Sequence, residues 1–218
     1  MSERSLIAVT GAGGSGKTNL SRRLRDELDR SGEVNPYAVD HISIGEYIRD
    51  QAKQALGRGV LVSGFREDII DHMNNSPFVP MEKELIVGIL VESLLRSDAD
   101  AILLDGFPRF GEQVEQLYEA SAVVEIYTRA AVITEVNDDE AIRRMLKRDG
   151  SRIITKEDAR ERLRVQHIGM QAVRSVLVET DLPHAMIDMG QTREQTLQEA
   201  TAFITTVLDT GPQTRQAS

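Results

Sequence analysis

Short apolar runs alternate along this chain with longer stretches in which apolar residues return every third or fourth position. Leu6 to Val9, Ala101 to Leu104, Ala122 to Tyr127 and His184 to Ile187 have the length of strands, and each leads into a helix-like segment. That alternation predicts an α/β fold, a parallel sheet covered by helices. Asn19 to Arg30 places Leu20, Leu24 and Leu28 on one stripe, so this helix is expected to lie against the sheet. No strand pattern occurs between Arg49 and Asp98. There Glu67 to Met73 and Glu82 to Leu95 read as helices separated by Asn74-Asn75-Ser76-Pro77, an all-helical excursion spanning about 43–98. A second, polar excursion over about 148–157 carries the turn signal Asp149-Gly150-Ser151 before a charged helical stretch begins at Lys156. Residues 211–218, GPQTRQAS, lack a core pattern and are expected to form a loose tail behind a single domain of residues 1–210.

Composition narrows the partners. A length of 218 residues suits one substantial core, and a net charge of −9 disfavours nucleic-acid backbones and anionic membranes. There is no cysteine, which removes disulfides and cysteine-based zinc sites. The N-terminus lacks a secretory pattern, and no run approaches the roughly 18 apolar residues of a membrane span. A soluble, cytoplasmic monomer without nucleic-acid or membrane partners is the expectation. The four histidines, His41, His72, His167 and His184, show no zinc-ligand spacing. Asp138-Asp139-Glu140 is explained by the dipole of a helix start, and no G-x-S-x-G elbow supports serine-hydrolase chemistry.

The chemistry is concentrated in GAGGSGKT, Gly11 to Thr18, between an apolar strand and a helix. The spacing G-x-x-x-x-G-K-T is that of a phosphate-binding loop. Gly11, Gly13, Gly14, Ser15 and Gly16 would turn backbone amides onto phosphate oxygens. Lys17 would reach the outer phosphates, and Thr18 would ligate Mg²⁺. The loop predicts a nucleoside triphosphate ligand, and by itself it does not name the reaction.

Further segments narrow it. Asp105-Gly106-Phe107-Pro108-Arg109 resembles the DGFPR motif of the adenylate kinase and wider nucleoside monophosphate kinase family. His41-Ile42-Ser43-Ile44-Gly45-Glu46-Tyr47-Ile48-Arg49 is similar to its HxSTGDxxR segment, and Phe78-Val79-Pro80-Met81-Glu82 to its LVP-plus-acid stretch. Arg143 to Arg148 and Arg160-Glu161-Arg162-Leu163 resemble its lid-flanking arginine helices. The similarity runs from about Ile7 to His167.

The resemblance implies a three-layer P-loop fold whose helical excursion closes on an acceptor monophosphate and whose lid covers ATP. It implies transfer of the γ-phosphoryl group of ATP to a nucleoside monophosphate, with Mg²⁺. Ser43, Ile44, Arg49, Val79, Gly106, Arg109 and Gln113 would then bind the acceptor, and Asp105 would join Thr18 in holding hydrated Mg²⁺. Lys17, Arg109, Arg144, Arg152 and Arg162 would act on the transferred group, with Arg148 on ATP. Arginine suits such places because its planar fork grips two oxygens while charge spreads over the phosphoryl group.

The chain also departs from the family pattern. Ile44 stands where a threonine normally touches the acceptor base, and Glu46 stands for aspartate. Arg152-Ile153-Ile154-Thr155 replaces Arg-x-Asp-Asp, and the lid is short, like that of members without a zinc-binding insertion. Gln113, four residues after Arg109, matches the family's adenine-reading glutamine and favours AMP. Two alternatives stay open: a kinase of another small nucleotide-like acceptor, suggested by Ile44, and a non-catalytic nucleotide-binding switch, suggested by the altered lid.

Overall fold

The computed structural model describes residues 3–30, 37–50, 82–148 and 155–210. Five strands, β1 (Ser5–Gly11), β2 (Val39–Ser43), β3 (Ala101–Asp105), β4 (Tyr127–Glu135) and β5 (His184–Asp188), form one sheet in the order β2-β3-β1-β4-β5. All its pairings are parallel. The helices are α1 (Lys17–Arg30), α2 (described over residues 44–50), α3 (Lys83–Leu94), α4 (Glu112–Val123), α5 (Asp138–Arg148), α6 (Lys156–Glu179) and α7 (Arg193–Asp209).

β1 is the central strand and every one of its residues is buried, as an apolar run covered on both faces requires. Alternation along the strands divides the core. Ile7, Val9, Leu103 and Val132 face α1 and α7, whereas Leu6, Ala8, Leu104 and Ile133 face α3, α4 and α6. The stripe Leu20, Leu24 and Leu28 is at most 1% exposed. Each such leucine is worth about 1.5–3 kcal/mol of burial, so packing on the sheet rather than helix propensity holds α1 in place.

A third, smaller cluster joins Ala141, Ile142 and Met145 of α5 to Ala159 and Leu163 of α6. α6 starts in a capping box. Thr155 Oγ1 accepts the Asp158 N–H at 3.1 Å and the Thr155 N–H donates to Asp158 Oδ2 at 3.0 Å.

One sequence expectation changes. Ala122 to Tyr127 is not a strand: Ala122 and Val123 end α4, Glu125 turns with φ of +56°, and β4 starts at Tyr127. The apolar positions before that turn complete the helix, and the buried run of β4 is Ala130–Thr134. The 43–98 segment also contains core helices at both of its ends. Ile44 and Tyr47 of α2 and Ile86, Ile89, Leu90 and Leu94 of α3 belong to the main apolar cluster. Glu67 to Met73, the Asp149 turn and the 211–218 tail lie outside the described residues.

The topology determines where a ligand can sit. β1 leads into α1 on one face of the sheet, while the neighbouring β3 leads into α4 on the other. The two connections therefore diverge and open a crevice at the carboxyl ends of these strands, the usual ligand position in open α/β sheets.

Candidate functional site

The register of the sheet brings three chain segments to that crevice. Val9 pairs with Asp105 and Gly11 with Thr134, so the glycine loop leaves β1 beside the ends of β3 and β4. The loop is braced from several sides. Ser15 Oγ and Thr134 Oγ1 share a hydrogen bond of 2.7 Å, and Thr134 Oγ1 donates to the Thr10 carbonyl at 3.0 Å. Gly14 has φ of +77°, and a Cβ there would lie 2.3 Å from the Ala141 carbonyl oxygen, so no other residue fits. Lys17 opens α1 and its Nζ donates to the Ala12 carbonyl at 3.2 Å, folding the ammonium back across the loop.

Asp105 ends β3 and is 1% exposed. His41 lies on the adjacent β2, in register with Leu103, and therefore on the same face as Asp105. Its Nε2 is 3.7 Å from Asp105 Oδ2, a charge-range rather than a hydrogen-bonding distance. Burial is the largest influence on this carboxyl and pushes its pKa up. The facing side chains of His41 and Thr18 and the charge of Lys17 together outweigh burial, so it sits below the ordinary value. A carboxylate results, and its Oδ1 has no hydrogen-bond partner among the described groups. A buried, ionised oxygen of this kind beside a threonine hydroxyl fits a hydrated divalent cation.

The cations converge on the same place. A Cβ on Gly106 would stand 3.2 Å from Arg109 Nη2 and 3.9 Å from Lys17 Cε. A Cβ on Gly45 would stand 3.3 Å from Arg49 Nη1 and 3.8 Å from Arg109 Nη2. Lys17, Arg109 and Arg49 thus form a row, with two glycines leaving the space between them open. Arg109 is held by its Nε, which donates to the Gly106 carbonyl at 2.8 Å, and by its backbone N–H, which donates to Gln113 Oε1 at 2.7 Å.

On the other side of the loop Glu140 directs Arg144. Arg144 Nε donates to Glu140 Oε1 at 2.7 Å, and its Nη1 reaches the carbonyls of Gly14 and Ser15 at 3.4 and 3.3 Å. Hydrogen bonds from Arg143 and Arg144 hold the Glu140 carboxyl down to about 2.

Two spaces flank the loop. One, of about 200 Å³, is lined by Gly14, Gly16, Lys17, Thr18, Asn19, Arg144 and Met145. The other, of about 530 Å³, has no lysine or arginine in its lining but has Glu135, Asp138 and Asp188. Three carboxylates repel a polyphosphate, so the smaller, cationic space is the one suited to it.

The remaining sequence candidates are distributed as follows. Ser43 ends β2, and its Oγ accepts the Glu46 N–H at 3.4 Å. Ile44 is 3% exposed, inside the main core. Gln113 is 5% exposed on α4 and turned toward the Arg109 backbone. Arg162 is half-buried on α6, one turn before Gln166. Val79, Arg152 and the side chain of Arg148 lie outside the described residues.

Sequence reasoning assigned no part in the site to Thr134 or Gln166, read Glu140 only as a helix-start acid, and gave His41 no contact of its own. The i,i+4 spacing of Glu140 and Arg144 was a usable signal. The others meet the site only through strand pairing or helix packing.

The glycine loop, the flanked parallel sheet and the acid at the end of β3 define a P-loop nucleotide-binding protein. A family model described as the AAA domain matches residues 10–164. Adenylate kinase of Wolinella succinogenes is 26% identical over 204 residues, covering 92% of this chain and 97% of that protein. Adenylate kinase of Bacteroides thetaiotaomicron is 30% identical over 166 residues, 74% of this chain and 78% of that protein. Adenylate kinase of Helicobacter pylori strain Shi470 is 29% identical over 146 residues, 66% and 68% respectively. The chain belongs to the AAA-domain P-loop family and, within it, to the adenylate kinase group of phosphotransferases. No helix among the described residues is long and apolar enough to cross a membrane.

Proposed function

We propose that this protein is a nucleoside monophosphate kinase that transfers the γ-phosphoryl group of ATP to a nucleoside monophosphate, with AMP the favoured acceptor. The observation that carries this reading is the row of Lys17, Arg109 and Arg49 around Gly106 and Gly45, beside the buried carboxylate of Asp105. A single phosphate needs one anion cradle. A row of cations running away from the loop toward α2 suits a second phosphate placed in line with the first.

In this reading the loop amides other than that of Gly13, which is given to Gln166, hold the β- and γ-phosphates of ATP with Lys17, while Arg148 would contact ATP and Arg144 and Arg152 would act on the transferred group. Arg49 and Arg109 grip the acceptor phosphate, with Ser43, Val79, Gly106 and Gln113 around the acceptor. An acceptor phosphate oxygen attacks the γ-phosphorus while the bond to the β–γ bridging oxygen breaks, and ADP leaves with that electron pair. The acceptor oxygen is already anionic, so no side chain has to remove a proton. The protein's task is to hold two anions together, and fixed arginines and Lys17 do that without reorganising. In the same reading Arg162 would stabilise charge on the group in transfer. Mg²⁺, when held through Thr18 and Asp105, would neutralise charge on the phosphate oxygens of ATP.

AMP preference rests on Gln113. With its carbonyl oxygen engaged by the Arg109 N–H, the side-chain NH₂ remains as a donor to the acceptor base. Ile44 offers no polar group, so discrimination should be modest, roughly threefold to tenfold for one hydrogen bond. The test is a coupled assay of ADP formation from ATP with AMP, CMP, UMP and GMP, where AMP should give the highest kcat/KM. A higher value for CMP or UMP would remove the adenine preference. ATP binding with no phosphorylation of any of the four would favour another acceptor or a switch.

A further inference from the structure

The phosphate loop has one tie to the long helix α6 that the reaction scheme does not use. The Gly13 N–H donates to Gln166 Oε1 at 2.5 Å. The approach is close on every side: a Cβ on Gly13 would meet Gln166 Oε1 at 2.9 Å and Met145 Sδ at 3.0 Å. Gln166 lies between Leu163 and Met170, which line the larger space behind the loop. It also lies four residues after Arg162, on the same face of α6 and about 6 Å further along its axis. A helix anchored by a capping box at Thr155 therefore carries both Arg162 and a hydrogen-bond acceptor for the loop.

We propose that Gln166 is a positioning residue that sets the ATP-binding conformation of the phosphate loop by holding the Gly13 amide. The loop holds glycines at 11, 13, 14 and 16, and glycine loses more conformational freedom on ordering than any other residue. A loop of this composition needs outside contacts to stay in one shape. Thr134 supplies them at Ser15, and the Ala141 carbonyl stands against Gly14. At Gly13 the hydrogen-bonding group is Gln166. Without it the loop visits shapes that do not bind, and the apparent affinity for ATP falls by the fraction of time spent in them. The loss expected from one hydrogen bond is roughly threefold to tenfold.

The role of this loop as the ATP site rests on the function proposed above, while the tie itself rests on geometry. Full-length protein, Gln166→Met and Gln166→Glu would be compared, with Arg164→Ala as a control on the exposed side of α6. Methionine matches the length of glutamine and accepts no strong hydrogen bond, whereas glutamate keeps an acceptor oxygen at the same reach. The readouts are amide exchange of ¹⁵N-labelled Gly13 without nucleotide, ATP affinity by calorimetry, and KM for each substrate.

Gln166→Met should speed Gly13 exchange and raise both Kd and KM for ATP roughly threefold to tenfold, leaving the acceptor KM unchanged. Gln166→Glu should restore slow Gly13 exchange, and Arg164→Ala should match the parent protein. Unchanged Gly13 exchange or unchanged ATP affinity in Gln166→Met overturns the proposal, whatever happens to the melting temperature. If the parent protein binds ATP but phosphorylates no acceptor, the proposed function fails while exchange and affinity still decide the role of Gln166.

Discussion

Gln113→Ala separates two duties that the structure gives to one side chain. Gln113 accepts the backbone N–H of Arg109 at 2.7 Å and is 5% exposed, so truncation leaves that donor half-buried and unmatched. An orphaned donor costs about 1–3 kcal/mol. For a chain of this length that corresponds to a fall of roughly 2–12 °C in Tm. The same loss loosens the turn that aims the Arg109 guanidinium, so kcat/KM should fall for every acceptor whatever its base. Base reading adds a further loss confined to AMP, roughly threefold to tenfold for one hydrogen bond. The assay is coupled ADP formation with AMP, CMP, UMP and GMP, alongside thermal melting. A uniform fall across the four bases would remove the base-reading duty. Unchanged melting and unchanged kcat/KM for CMP and UMP would refute the argument that Gln113 positions Arg109.

Three further outcomes follow from the site. Lys17→Met should abolish phosphoryl transfer while circular dichroism and melting stay near those of the parent, because this half-exposed ammonium serves charge rather than packing; near-normal ADP production would contradict it. Arg162→Ala should lower kcat on the order of 10³-fold with a smaller change in ATP affinity, and an effect on KM alone would place Arg162 in ground-state binding. Ile44→Thr should widen the margin for AMP, at a stability cost of about 1–3 kcal/mol because the hydroxyl enters a core position that is 3% exposed; an unchanged Tm would show that this position opens to water.

What could be read from the sequence was what is local along it. Gly11 to Thr18 carries its own strand, turn and helix start, and the Leu20, Leu24 and Leu28 stripe marks the buried face of α1. The run Ala122 to Tyr127 misled because apolar residues that end a helix, such as the exposed Val123, and apolar residues that precede a strand look alike in sequence. The turn at Glu125 that divides them has no glycine to mark it. Arg144 could be read as either a lid arginine or half of a helical ion pair, and it is in contact with both Glu140 and the loop carbonyls. The contacts His41 to Asp105 and Gly13 to Gln166 join residues far apart in the chain, and pairing of that kind leaves no periodic trace.

The central place of β1 also bears on how the chain is made. Leu6 to Val9 are made before both of their neighbours, residues 102–105 on one side and 128–132 on the other. Until β4 has been synthesised, this fully buried strand has at least one open edge, and the loop that follows it lacks Thr134. The nascent chain thus carries a strand with an unpaired edge until residues 128–132 have been made, and translational pausing before that point exposes it to edge-to-edge association. The braced loop can form only after Thr134 has emerged, so nucleotide cannot assist folding of the chain before that point.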